Sequence, residues 1–367
     1  MTAAGLYVHV PFCLTRCGYC DFNAHAGLGH LARRYVAALR AEADLWAAEW
    51  AAEPFASVFF GGGTPTTLPA EDLVGLVAHL RDRFAVAPDA EVTVEANPDT
   101  VDWASLSRLR EGGITRLSLG VQSFDPVVLA ALGRIHPPES ARRAFAAARQ
   151  AGFDDVNLDL IYGARGETVA SWRRTVTEAV EMEPDHLSCY ALTIERGTPL
   201  GRAVAAGATP PPDADLQADM YEVACDLLAR AGHHHYEVSN WARPGHRCVH
   251  NLGYWEARPY LGLGAGAHSY RDGRRWWNVR PPERYLAGAL AGRRPIGGRE
   301  VLDREAARLE RLLLGVRSAG GVPASWVTPD DVRPFVDRGL ARLDGGRFRL
   351  TERGMIVANE VVLALSG

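Results

Sequence analysis

Strand-like and helix-like segments alternate six times within residues 1–232, and nothing else in the chain constrains its fold as tightly. Short apolar runs at 6–10, 57–60, 91–96, 116–121, 155–162 and 186–194 read as strands. Residues 31–53, 71–84, 103–109, 140–151, 171–182 and 214–231 carry the spacing of amphipathic helices. Gly112, Gly152 and Gly232 close three of them. Such alternation implies a parallel sheet with helices outside. Six units, not eight, predict an α/β fold: an open (β/α)6 partial TIM-type barrel. Its active site is then expected at the C-terminal ends of the strands.

With 367 residues, 47% of them hydrophobic, the chain can bury a large core and a smaller one. The expected division is the barrel at 1–232, a Trp-, Tyr- and His-rich connecting region of little periodicity at 233–299, and a C-terminal module at 300–367. That module reads as helix 300–317, helix 331–339, a hairpin over 340–350 around Asp344-Gly345-Gly346, and helix 354–365. The order is winged-helix-like. Nucleic acid is not an expected partner: from Val301 onward ten arginines face nine acidic residues, and the chain's net charge is −4. All 40 basic residues are arginine, so a single arginine is weak evidence of function. The opening Met1-Thr2-Ala3-Ala4-Gly5 has no basic start and no long apolar core, so no signal peptide is expected. No apolar run approaches the length of a membrane span. The cytoplasm is the expected compartment.

Cys13, Cys17 and Cys20 stand at C-x3-C-x2-C spacing. Pro11 ends the strand before them, which puts the cysteines on a loop at a strand's C-terminal end. Three thiolates can hold three irons of a [4Fe-4S] cluster and leave the fourth open to a ligand. A zinc site completed by His9 or His25, or no metal at all, are the competing readings. Cys189, Cys225 and Cys248 are scattered, which is no disulfide framework. Further along, Gly61-Gly62-Gly63-Thr64-Pro65-Thr66 follows the second strand, where exposed amides would suit an anion. Glu95 ends the third strand, Gln122 the fourth, Arg134 follows, and Asp159 lies in the fifth. Each alone could serve only the fold, as a turn, a cap or a core pair. Together they suit a zwitterionic, ribose-containing ligand beside a cluster.

These motifs, in this order, resemble the radical S-adenosylmethionine proteins of the oxygen-independent coproporphyrinogen III oxidase-like group. The matching stretches are the cysteine loop, the Gly-Gly-Gly-Thr-Pro-Thr loop, Glu95-x-Asn97-Pro98, Gly120-Val121-Gln122-Ser123-Phe124 and Asn157-x-Asp159-Leu160-Ile161-Tyr162-Gly163. The resemblance covers essentially the whole chain. It implies that Cys13, Cys17 and Cys20 hold a [4Fe-4S] cluster whose open iron takes the amine and carboxylate of S-adenosylmethionine. It implies that Tyr7, Gly62, Gly63, Thr64, Glu95, Gln122, Arg134 and Asp159 surround that cofactor. In such families reductive cleavage yields a 5′-deoxyadenosyl radical, and the protein supplies position and a dry cavity.

Two departures separate the branches of the group. Phe22 stands where the oxidases have a fourth cysteine, and only twelve residues precede Cys13, fewer than in the oxidases. Both count against porphyrinogen decarboxylation. The stretches Tyr236-Glu237-Val238-Ser239-Asn240, Cys248 to Trp255 and Gly262 to Tyr270 instead resemble the HemW-type haem chaperones. That resemblance makes His250-Asn251-x-x-Tyr254-Trp255 the expected haem contact, with Cys248 and His268 as alternatives. Imidazole is a good axial ligand, and Arg271 or Arg274 could meet propionates. The plainer reading is that these residues fill a core between barrel and module. Three consecutive histidines, His233 to His235, cannot converge on one point along a strand. Cys189 and Cys225, and Trp276-Trp277, read as packing. Ala164-Arg165 and Glu167 stand where related chains carry Leu-Pro and Gln, so the loop after the fifth strand is expected to differ in shape.

The first expectation is thus a haem-binding chaperone, with haem as cargo and haem-accepting proteins as partners; whether it is also an enzyme is left open by the radical S-adenosylmethionine motifs. The resemblance leaves room for membrane-bound acceptors and for a homodimer. A radical enzyme acting on a porphyrinogen is the second expectation. Plain electron transfer would leave the cofactor-binding set unexplained.

Overall fold

Seven strands side by side and parallel form the centre of the molecule. The structure, a computed structural model, describes residues 3–365; Met1 and Thr2 of the expected leader-free start, and Ser366 and Gly367, lie outside them. The strands are β1 Ala4–Val10, β2 Phe12–Cys13, β3 His25–Ala26, β4 Pro54–Gly62, β5 Ala85–Ala96, β6 Arg116–Gln122, β7 Val156–Tyr162, β8 His186–Ala191, β9 His234–Glu237, β10 Asn240–Ala242, β11 Tyr260–Leu263, β12 His268–Arg271, β13 Arg274–Asn278 and β14 Ile296–Val301, followed by β15 Val322–Pro323, β16 Ala341–Asp344 and β17 Arg347–Leu350. The helices are α1 Ala32–Ala47, α2 Ala70–Arg83, α3 Trp103–Glu111, α4 Pro126–Ala131, α5 Pro138–Gln150, α6 Val169–Glu181, α7 Pro199–Ala205, α8 Ala214–Arg230, α9 Val249–Trp255, α10 Pro282–Ala289, α11 Arg304–Val316, α12 Pro329–Asp337, α13 Glu352–Ile356 and α14 Ala358–Leu365.

The six expected strands, β1, β4, β5, β6, β7 and β8, are neighbours in chain order and all parallel. Each connection carries at least one helix that buries an apolar stripe. In α1 that stripe is Tyr35, Leu39, Ala43 and Trp46, three to four residues apart. Thr168 and Ser171 form a reciprocal cap that starts α6. Glu167, just before it, closes the loop after β7 by accepting from the Gly163 and Ala164 amides at 2.7 and 3.1 Å.

Residues 233–299 depart from the expected irregularity. They extend the same sheet at both edges, to the order β14-β13-β12-β11-β1-β4-β5-β6-β7-β8-β10-β9. β11 lies parallel to β1, with Leu6 opposite Leu261, and β12 to β14 continue as an antiparallel meander. At the other edge β10 and β9 run antiparallel to β8 and to each other. These strands are short, and β11 and β10 join the sheet through partners distant in sequence, so no alternating pattern announces them. The edge strands β14 and β9 do not pair among the described residues, and the sheet stays open.

A buried carboxylate joins α1 to the meander. Glu42 accepts from Gly264 N at 2.8 Å, Asn278 Nδ2 at 2.6 Å and Tyr285 hydroxyl at 2.7 Å. The C-terminal residues follow the expected order of helix, helix, hairpin, helix, with the last helix broken at Val357 into α13 and α14. The β15-β17-β16 sheet completes that unit, and backbone bonds from Val238 to Arg317 and from Ala319 to Tyr236 tie it to β9.

Candidate functional site

The cysteine loop is held from below by the glycine loop. The amides of Gly63 and Thr64 donate to the carbonyls of Val10 and Phe12 at 2.8 and 2.7 Å, and Gly62 N donates to Glu95 Oε2 at 3.1 Å. The expected anion cradle is therefore absent here, because those amides are used inside the protein. The glycines contribute closeness instead. A Cβ on Gly63 would lie 2.6 Å from Phe12 O, and one on Gly62 (φ +111°) would enter the His9 ring at 2.3 Å. The pairing of β2 with β3 and the bond from His25 N to Pro11 O then bring the loop back on itself.

Above this base the strand ends enclose a cavity of about 390 Å³. Cys13, Cys17 and Cys20 line it with Gly62, Gly63, Thr64, Glu95, Gln122, Arg134 and Asp159. The fold therefore gathers ten residues that stand 146 positions apart at the extremes, from Cys13 to Asp159, into one wall. Tyr7 alone of the expected set lies elsewhere. It faces an adjoining cleft, with its hydroxyl 3.0 Å from His9 Nδ1.

Asn97 joins the site as a residue whose role the Glu-x-Asn-Pro motif does not reveal by itself. Its Nδ2 donates to Thr64 Oγ1 at 2.9 Å, and its Oδ1 accepts from Arg134 at 2.6 Å. Arg134 also donates to Gly120 O at 2.9 Å and to Cys17 Sγ at 3.5 Å, while its Nε is buried without a partner among the described residues. Asp159 takes no arginine. It accepts from Ser118 Oγ at 2.8 Å and Asn157 Nδ2 at 2.9 Å. Burial raises its carboxyl, and burial together with Asp159 pushes Glu95 up to about 8. Gln122 has φ +66°, rare for a residue with a Cβ, at the bulge between β6 and β7. The thiols of Cys13 and Cys20 are raised chiefly by burial, and none of the three is in a disulfide.

The donor set fits a cluster with one open iron. Three thiols converge on one cavity, and an orphaned guanidinium nitrogen and two carboxyls surround the space beside them. The Thr64 hydroxyl stands 3.7 Å from Cys13 Sγ.

The aromatic motif lies at the other end of the strands. Gly5 and Ser57 are register partners, as are Ser57 and Glu91, and the last two stand four residues back along β4 and β5 from Gly61 and Glu95. At about 3.3 Å per residue, this row is roughly 13 Å below the cavity. Here α9 packs against β4 and β1. Glu91 accepts from the amides of Val249 and His250 at 2.8 and 3.1 Å and from Cys248 Sγ at 3.4 Å. His250 is 3% exposed, bonded through Nδ1 to Ser57 Oγ at 2.9 Å and through Nε2 to the Tyr254 hydroxyl at 3.0 Å. Its ring stacks on Phe59 at 5.1 Å. Both nitrogens are thus engaged, and burial pushes the imidazole down to about 3, so it stays neutral. Asn251 reaches the Tyr236 hydroxyl and Glu237 at 3.4 Å, and Trp255 Nε1 is buried without a partner among the described residues. Cys248 is 3% exposed. Of the expected haem contacts, Tyr254 and His268 line the cleft that Tyr7 faces, and His268 is exposed there.

Residues 7–179 match the Radical SAM superfamily. A Mycobacterium tuberculosis (strain ATCC 25618 / H37Rv) protein named Heme chaperone HemW is 46% identical, over 99% of this chain and 95% of its own length. An Escherichia coli (strain K12) protein of the same name is 35% identical, over 97% and 96%. Among solved structures, the coproporphyrinogen III oxidase HemN of Escherichia coli, a radical SAM enzyme, superposes with a TM-score of 0.85 at 24% identity. The match covers 99% of this chain and 90% of that one. The last likeness is one of fold.

Proposed function

This chain belongs to the radical SAM superfamily and, within it, to the HemW family, and from that premise we propose that it is a haem chaperone. It takes up haem and hands it to acceptor proteins. Cys13, Cys17 and Cys20 hold a [4Fe-4S] cluster, and S-adenosylmethionine occupies the cavity beside it. When bound, the cluster supplies one iron open to a chelating amine and carboxylate. The chain's own residues do the rest. Gly62 and Gly63 keep side chains out of the way, Asn97 fixes Arg134, and Glu95 and Asp159 offer acceptors for an ammonium or ribose hydroxyls.

The observation that carries the chaperone reading is the full-length identity to relatives bearing that name. The oxidase likeness supports architecture only, and Phe22 occupies the place of the oxidases' fourth cysteine. The proposal assigns the chain to the cytoplasm, with membrane-bound proteins among its acceptors. No helix of the described residues is long and apolar enough to cross a membrane.

The test is anaerobic. After cluster reconstitution the native chain is titrated with haemin, then mixed with a haem-free acceptor, and coproporphyrinogen III turnover with S-adenosylmethionine is assayed in parallel. Stoichiometric haem uptake, transfer and no turnover are expected. Turnover without haem uptake would restore the oxidase reading.

A pH dependence follows from Glu95. Its native carboxyl titrates near 8, above the ordinary 4.5, so the ligand-free fold binds an extra proton between those values. Stability from this group is present at low pH and falls as pH rises through about 8. A ligand that needs the ionised carboxylate does the opposite: S-adenosylmethionine should bind more tightly as pH rises toward 8, by up to about tenfold per unit. Calorimetric titration across that range measures it. Glu95→Gln should flatten the profile, and a slope unchanged in that variant would remove Glu95 from the account.

A further inference from the structure

A second cleft, of about 630 Å³, opens beside the cysteine cavity and shares Asp21, Phe22, Gly62 and Glu95 with it. Its outer wall is the β12–β13 hairpin. His268 and Trp277 are register partners there, with rings 5.6 Å apart and 24° from parallel. Unlike His250, His268 has no hydrogen-bond partner on either ring nitrogen among the described residues. Partial burial, with Arg275 and Arg280 nearby, pushes it below the usual histidine range, so the ring is neutral at neutral pH.

The cleft is also lined by Phe22, 61% exposed although large and apolar. Arg280 lines the same cleft, and Arg16 joins it along an adjoining groove. Neither guanidinium has a carboxylate partner within ion-pair distance among the described residues, although Arg271, Arg275 and Arg294 do. A free imidazole, flat apolar rings and guanidiniums without carboxylates ask for a flat ligand with a metal at its centre and carboxylates at its rim.

We propose that this cleft is the haem seat: His268 ligates the iron, Trp277 and Phe22 pack on the macrocycle, and Arg280 and Arg16 meet the propionates. The proposal rests on the reading of the chain as a haem binder and names the site of that function. It also accounts for Phe22. Where the oxidases carry a cysteine, this chain turns an aromatic ring toward the cargo, on the same loop as the cluster thiols. Haem would then sit against the cysteine loop, one residue from Asp21 and two from Cys20.

The test uses the full chain with its cluster reconstituted. Haemin is titrated anaerobically into the native protein, His268→Ala, Arg280→Glu and His250→Ala, with visible and resonance Raman spectra recorded. His268→Ala should lose the native ligand-field spectrum and bind about tenfold more weakly or worse, and added imidazole should restore the spectrum. Arg280→Glu should weaken binding with the spectrum unchanged, and His250→Ala should keep both. His268 is exposed, so its loss should leave the fold and the cluster absorbance intact. If the native chain binds haem and His268→Ala matches it in affinity and spectrum, the seat is wrong and the chaperone reading stands. If the native chain binds none, both fall.

Discussion

Replacing Cys17 by Ser is expected to leave the cysteine loop without a cluster. Three thiolates are the minimum that can hold three corners of a cubane, and this chain has no reserve. Cys189, Cys225 and Cys248 are 1%, 4% and 3% exposed, each packed in the core. None lines the cavity. Iron and acid-labile sulfide should fall from about four per chain in the reconstituted native protein to near zero in the variant. Stability of the unreconstituted chain should change little. The substitution weakens one hydrogen bond, donated by Arg134 to Cys17 Sγ at 3.5 Å. Such a bond is worth about 1 kcal/mol. A variant that still takes up a full complement of iron would refute the ligand assignment.

His250→Ala is expected to lose stability and keep its haem. The ring fills the lower end of the barrel, on Gly5, Ser57 and Phe59, and takes part in two side-chain hydrogen bonds. Truncation opens a cavity and leaves the Ser57 and Tyr254 hydroxyls facing it, at a cost of about 3 kcal/mol. Urea unfolding of the unreconstituted chain would measure this. The N-terminal end of a parallel barrel is where packing is decided, while chemistry collects at the other end. A variant with native stability and no haem uptake would return the motif to the role of ligand and displace the barrel-plug account.

The two variants probe opposite ends of the same strands, and they differ in how far sequence alone could place them. The cysteine loop, the glycine loop, Glu95 and Gln122 were legible because each follows or ends a strand whose apolar run is visible, and Asp159 because an acid stands inside such a run. In a parallel sheet, strand ends of one sense meet on one face. Chain order alone then brings those residues together. Tyr7 broke the pattern for a local reason. Its hydroxyl turns to His9 rather than to the cavity, whereas Asp159, equally mid-strand, lines it. The role of the glycine amides was not legible, because a loop's free N–H groups are known only once its neighbour is placed. Here that neighbour is the cysteine loop itself.

The strands at both edges were not legible either. β11 pairs with β1 across more than 250 residues, and strands of three to six residues carry too little period to be seen. With them went the fate of the histidines. His250 and His268 sit in equally aromatic, glycine-rich surroundings, and nothing in composition or spacing tells a packed imidazole from an offered one.

Local periodicity and connectivity were enough to set the six parallel strands, their order and the clustering of three thiols with a polar set at their C-terminal ends. Which of His250 and His268 is packed and which is offered to the large cleft follows from long-range placement. At α9, Ser57 and Tyr254 engage both ring nitrogens of His250, and Glu91 takes the amides of Val249 and His250. The β12–β13 hairpin passes the open end, where His268 meets a cleft and, among the described residues, no competing donor or acceptor.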